Sequence, residues 1–252
     1  MSLELQYQLK QWCAWLPPEL RSSSSSGWKN GGLLPGQTPD VSFLPLMQRR
    51  RLSPMARAAL AVAWPCLEGI NAIPAICASL HGETHYCFPI LNTLAESADV
   101  SPTEFTLSVH GAVGALLSQY AKNRAPYIAL APGGEGYSAA LVEAFWFIRN
   151  QEKQVLVLLY EQPLPPVYHA YAANPPGVMA LAMRLEAGND EGMLLTIKRE
   201  GEKISGEMKD PLLSIILALC CKGQEVLLPG RLGAWRWLFA DSQSSEISVN
   251  AI

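Results

Sequence analysis

The stretch APYIALAPGGEGYSAALVEAFWFI, from Ala125 to Ile148, constrains this chain more than any other. An apolar run drives into the glycine-rich turn Pro132-Gly133-Gly134-Glu135-Gly136-Tyr137, and an amphipathic segment leaves it. Strand, tight turn and helix in that order is how many enzymes present a nucleophile at a helix N-terminus. The turn offers a carboxylate where a cysteine or serine is expected. The chain therefore carries either an active site with unusual chemistry or one that has lost its chemistry.

The flanking sequence sets the fold class. Leu3, Leu5, Tyr7 and Leu9 alternate with polar residues, the period of a half-buried strand. Pro54 to Gly69 predicts a helix with proline at its start and glycine at its end. AIPAICAS is a short buried strand, and Tyr86 to Ser97 predicts a second helix. Ser101, Pro102 and Glu104 form a capping box that opens a third. That helix reads as one buried unit through Gly111 and Gly114, whose cost of about 1 kcal/mol each implies close packing against other backbone. Strands follow at 127–130 and at QVLVLLYE, the latter apolar throughout as strands buried on both faces are, with a helix over 136–150 between them. VMALAMRLEA and GMLLTIKRE read as two antiparallel strands around GNDE, and DPLLSIILALCCKG as a helix with an aspartate cap. QEVLLPGRLGAWRWLFADS leaves its element type open. RSSSSSGWKNGG predicts a mobile, exposed loop. Alternating strands and helices make an α/β fold, with the proline-rich 163–176 as its best internal boundary.

Hydrophobic residues make up 49% and charged residues 16%, an imbalance that points to a surface covered by a permanent partner. A net charge of −3 excludes an electrostatic footprint for nucleic acid, and Arg49-Arg50-Arg51 reads as a solvated turn. No run of about 18 apolar residues indicates a membrane span. The N-terminus has no leader pattern, and the six cysteines show no compact disulfide spacing. Buried free thiols in the cytoplasm are the expectation.

Several chemistries fail on spacing. Ser138 follows Gly134 and Gly136 but lacks the centre of G-x-S-x-G, so it reads as a small packing residue. No lysine stands in the turn, and Glu135 would repel a phosphate. Cys77, His81, His85 and Cys87 are zinc-ligand types, but Gly82 interrupts the helix they would need, so no metal is expected. His110 reads as a core histidine with its ring nitrogens satisfied by backbone. Trp235 and Trp237 fit either core or interface.

CASLHGETHYCFPILNTLAES, SPTEFTLSVHGAVGALLSQYAKNRAPYIALA and GYSAALVEAFWFIRNQEKQVLVLLYEQ together resemble, in order and spacing, the N-terminal half of β-ketoacyl synthases. The S-P-x-x-F-x-x-S-V-H segment is the most specific part, and Gly111 replaces the asparagine the family often has after that histidine. The resemblance implies a thiolase-like fold, truncated: residues 1–162 would be a ketosynthase-like N-terminal half, and 163–252 a reduced C-terminal half packed on it as one compact unit. It implies a nucleophilic cysteine in the turn, where this chain has Glu135, and two catalytic histidines, where only His169 follows His110. A ketosynthase-like chain without those groups resembles the chain-length factor of type II polyketide systems, in the short form found with bacterial aryl-polyene clusters. Such a subunit is non-catalytic, needs no cofactor, pairs with a ketosynthase as a heterodimer and meets an acyl carrier protein transiently. The resemblance places partner pairing at Tyr127, Ile128 and Leu130. It places the acyl tunnel at Thr103, Phe105 and Leu107, with His110, Gly134, Glu135 and Tyr137 nearby. Glu135 would stabilise the following helix or promote decarboxylative priming. Two rival readings are a thiolase-fold acyltransferase or hydrolase using Glu135 or Ser138, and a free-standing carrier-binding scaffold.

Overall fold

The computed structural model describes residues 3–21, 30–96, 98–150, 152–187, 192–201, 210–221 and 225–241. The serine run at 22–26 and the polar C-terminal tail lie outside them. In chain order the elements are β1 (Glu4–Trp15), β2 (Gly31–Leu33), α1 (Leu46–Arg49), α2 (Pro54–Cys66), β3 (Ala75–Ala78), α3 (Thr84–Ala95), α4 (Pro102–Ser108), α5 (Ala112–Tyr120), β4 (Tyr127–Leu130), α6 (Ser138–Arg149), β5 (Gln154–Glu161), β6 (Met179–Glu186), β7 (Met193–Arg199), α7 (Pro211–Cys220), β8 (Glu225–Leu228) and β9 (Trp235–Asp241). The segment that left its type open in the sequence therefore supplies two strands.

The described strands form a single sheet in the order β4-β3-β5-β6-β1-β7-β9-β8, with β2 beside β1. β3, β4 and β5 run parallel, and β6 lies antiparallel between β5 and β1. Helices cover both faces at the β4 to β1 end, which makes three layers. β5 shows why its sequence carries no polar alternation. Val155, Val157 and Leu159 pack with α6 and α7, while Leu156, Leu158 and Tyr160 pack with α2 and α5. Burying both faces needs an apolar side chain at every position.

The two strands around GNDE do not pair with each other. β6 and β7 lie on opposite edges of β1 and both run antiparallel to it, so they are parallel to one another. Strand alternation in the sequence specifies which face is buried but not which edge is filled. The sheet consequently runs unbroken across the proline-rich 163–176 segment.

The helix opened by the capping box is also not one unit. Ser101 caps α4 by accepting from the Glu104 amide, but Val109 takes an extended conformation (φ −73°, ψ 150°) and α5 starts afresh behind Gly111. α4 contributes no buried residue, whereas α5 buries Ala112, Val113, Gly114 and Leu117. The break lets α5 lie on the sheet. Gly114 faces the Tyr127 ring so closely that a Cβ would stand 2.5 Å from its Cδ2. Among the described residues, no helix is long and apolar enough to cross a membrane.

Gly114→Ala should lower stability by about 1–2 kcal/mol in chemical denaturation, because overpacking outweighs the alanine helix preference of about 1 kcal/mol. With Tyr127→Ala also present the clash is gone, and the same Gly114→Ala change should stabilise the chain. A Gly114→Ala penalty that persists without the Tyr127 ring would disprove the contact.

Candidate functional site

The parallel strands β3, β4 and β5 all end on the edge of the sheet where open α/β sheets place their ligands. The glycine turn leaves β4 there as a single turn of 3-10 helix, Gly133–Glu135, and enters α6 through Tyr137. Gly133 (φ +55°) and Gly136 (φ +57°) take left-handed conformations that side chains rarely adopt, so the two glycines are what allows so tight a reversal. Glu135 lies within that 3-10 turn, ahead of the Tyr137 cap of α6, and its carboxylate bonds two side chains from the C-terminal strands. Trp235 Nε1 donates to Oε2 at 2.8 Å, and Arg199 pairs with Oε1 at 3.4 Å while its guanidinium lies over the Trp235 ring. Helix capping of α6 is therefore not what holds it. Gly134 sits against the Arg231 side chain, with room for no more than a glycine without some shift.

Ser138, 0% exposed, accepts a 2.8 Å hydrogen bond from Trp237 Nε1. Trp235 and Trp237 are buried core residues in this chain, and both indoles donate to side chains of the turn and the start of α6. Sequence alone left that choice open: the pairing partners lie about 100 positions away.

Tyr137 is buried and donates to Glu161 Oε1 at 2.8 Å. Glu161 also accepts from the Leu80 amide and from Ser79. Burial pushes its carboxyl up to about 7, against the lowering effect of those hydrogen bonds. Glu83, at the start of α3, is raised to about 7 in the same way and accepts from Ser53 Oγ at 2.7 Å. Sequence reasoning missed both. The available signal was Glu161 itself, a carboxylate closing the otherwise apolar run QVLVLLYE.

His110 is half-buried and its Nε2 has no hydrogen-bond partner, so backbone does not satisfy it; its ring instead packs on Gly82. Thr103 and Leu107 line a groove of about 410 Å³ with Met47, Arg51, Leu116 and Tyr120. Phe105 is outside that lining and 58% exposed, so α4 is a surface element rather than the entry to a buried helix. Tyr127, Ile128 and Leu130 lie on β4, which pairs with β3 alone among the described strands. The Pro126 and Leu130 carbonyls point to β3, so strand alternation turns the backbone groups of Tyr127 and Ala129 to the open edge.

The thiols offer no ready nucleophile at the turn. Burial pushes Cys13 and Cys77 up to about 12 and Cys220 up to about 11, and raises Cys66 further. A thiol so placed stays protonated and inert. Among the described residues, no three histidine, cysteine or carboxylate side chains are grouped to hold a metal.

The sequence matches the profile of the β-ketoacyl synthase N-terminal domain over residues 25–238. The chain belongs to that family. Among solved structures, the complex of the ketosynthase ApeO with its chain length factor ApeC from Xenorhabdus doucetiae is 24% identical, with a TM-score of 0.75 over 93% of this chain and 99% of that one. The ishigamide ketosynthase/chain length factor is 12% identical, with a TM-score of 0.53 over 73% of this chain and 62% of that one. AntDE:AntF, a type II acyl-carrier protein in complex with its ketosynthase, gives 14% and 0.51 over 73% and 63%. These likenesses establish a shared fold, and this chain spans about three fifths of the last two. No curated protein matches the sequence. The β4–α6 turn of this chain, residues 131–137, contains no cysteine.

Trp237→Phe should cost about 1–3 kcal/mol of unfolding free energy, because it leaves the buried Ser138 hydroxyl without its donor. Pairing it with Ser138→Ala should recover most of that loss. Equal stability of Trp237→Phe and the parent in urea would show that the bond does not hold the turn.

Proposed function

We propose that this chain is a chain-length-factor subunit that does no chemistry itself and pairs with a ketosynthase. One observation carries the reading. In a ketosynthase-family fold, the turn that would present the nucleophile holds no cysteine, and its one carboxylate is engaged by Arg199 and Trp235. A carboxylate tied down by an indole and a guanidinium is a brace. On this reading Glu135 fills and stiffens the vacated turn, and Ser138 is occupied by Trp237.

The open edge of β4 supports the partner. Among the described residues, the backbone groups of Tyr127 and Ala129 face an edge no strand fills, beside an exposed aromatic, a template that another strand completes. Phe105, Leu91 and Leu94 of α3 and α4, with Val109 at the break after α4, add exposed apolar surface for a partner to cover. The ketosynthase supplies the cysteine and the acid-base groups, and a carrier protein delivers the acyl chain to the pair. Thr103, Phe105 and Leu107 then bear on the tunnel through α4, so the side chain at Phe105 sets where the growing chain stops. Aryl-polyene synthesis in the cytoplasm is the system the resemblance favours.

Co-expression with a partner ketosynthase should give a stable 1:1 complex by size exclusion. Ala129→Pro removes an outward donor without touching the β3 ladder and should weaken that complex at least tenfold. A chain that ignores the ketosynthase and hydrolyses acyl thioesters alone would overturn the assignment. Within the complex, Phe105→Ala should lengthen products by one or more extension units, since a methylene in a closed apolar pocket is worth about 1–3 kcal/mol. Unchanged product masses would remove Phe105 from the tunnel.

A further inference from the structure

Two carboxylates that the proposed role does not use are buried at the carboxyl edge of the parallel strands. Glu161 is 1% exposed and Glu83 is 3% exposed. Each has one oxygen bonded and the other buried with no hydrogen-bond partner among the described residues: Glu161 Oε2 and Glu83 Oε2. The hydroxyl of Tyr160, 0% exposed, also lacks one. Among the described residues, no lysine, arginine or histidine forms an ion pair with either carboxylate. A buried carboxylate with an empty lone pair and no cation is costly when ionised and acceptable when protonated.

What the two groups join gives the arrangement its meaning. Both hold the loop at 79–83 between β3 and α3. Glu161 takes hydrogen bonds from the Leu80 amide and Ser79 at one end of the loop, and from Tyr137 of the glycine turn. Glu83, at the other end, is bonded by Ser53, which itself caps α2 by accepting from the Ala56 amide. Ser79 Oγ accepts from the Gly82 amide inside the loop, and the Ser79 amide reaches Leu130 at the end of the edge strand. Gly82 (φ +68°) lies against His110, at the break between α4 and α5. One loop thus ties together the start of α2, the end of β4, the α4–α5 break and the glycine turn.

We propose that the 79–83 loop is a proton-operated latch, closed while Glu83 and Glu161 carry protons and released as both ionise. The groups facing Glu161 reinforce that direction. Asp210, the cap of α7, adds negative charge that opposes ionisation, and burial outweighs the Leu80, Tyr137 and Ser79 hydrogen bonds that favour it. His81 faces Asp210 rather than Glu161. Around Glu83 stand Tyr160 of β5 and Tyr86 of α3, with Glu104 of α4 acting on the same Tyr86. Both carboxyls titrate near neutrality when folded, above the ordinary value of 4.5. A raised folded pKa favours the closed form most at low pH, and the advantage is lost as pH rises from about 4.5 through about 7. The latch lies beneath the edge strand and the turn at once, so its state reaches the surface on which a neighbouring chain would pair.

Hydrogen exchange on the full chain, together with whatever subunit co-purifies, tests this. After correction for intrinsic exchange, protection of the 79–83 amides should fall about tenfold or more between about pH 5.5 and about pH 8.5. The doubly substituted Glu83→Gln, Glu161→Gln chain should show a flat profile, because glutamine is neutral throughout. Constant protection in the parent, or an equal fall in the double variant, would overturn the latch. Should the variant fail to fold, infrared spectra of the glutamate-labelled parent decide. A carbonyl band of a buried protonated carboxyl that fades above neutrality supports the proposal, and its absence at every pH refutes it.

Discussion

The pairing of β1 along both edges is the constraint on which the rest depends. From Gln8 to Trp15 it carries β6 on one side, and on the other it is shared between β7 over Glu4 to Leu9 and β2 over Trp12 to Ala14. Without that strand the sheet would separate into a parallel half bearing the glycine turn and an antiparallel flap of β7, β9 and β8. With it, the flap is held where Arg199, Trp235 and Trp237 reach the turn. Side chains on β1 also seat α6: the Tyr7 hydroxyl donates to the Leu141 carbonyl at 2.6 Å.

That arrangement explains how this chain keeps a glycine turn that carries a carboxylate and no cysteine. A turn built on two left-handed glycines over buried hydroxyls is costly to leave open. Here the indoles and a guanidinium from the C-terminal strands supply donors to Glu135 and Ser138, so the turn stays formed. The C-terminal strands support the turn through its Glu135 and Ser138 side chains.

The carboxyl edge follows a different economy. Its polar groups are packed to near-complete burial but incompletely paired, as Glu83, Glu161 and Tyr160 show. Burial raises the acids toward neutrality because no cation offsets the loss of water. The braced turn and the under-paired loop meet at Tyr137, whose ring packs in the core and whose hydroxyl reaches Glu161.

Much of this was legible in the residues. The apolar run within QVLVLLYE determined a strand buried on both faces, and Asp210 and Ser101 determined where helices start. These are local matters, set by side-chain period and by which backbone donors a neighbouring oxygen can reach. The sequence also carried Gly111 and Gly114 as signs of close approach, yet gave no hint that Val109 breaks the helix between the capping box and Gly114. Tertiary structure decided that, because α5 must lie on β3 and β4 beneath the Tyr127 ring while α4 does not. It alone placed β6 and β7 on opposite edges of β1, since alternation specifies a face and never a neighbour. It alone gave Glu135 its partners, about 64 and 100 positions away, because hydrogen bonds between distant strands follow from sheet order and leave no local pattern.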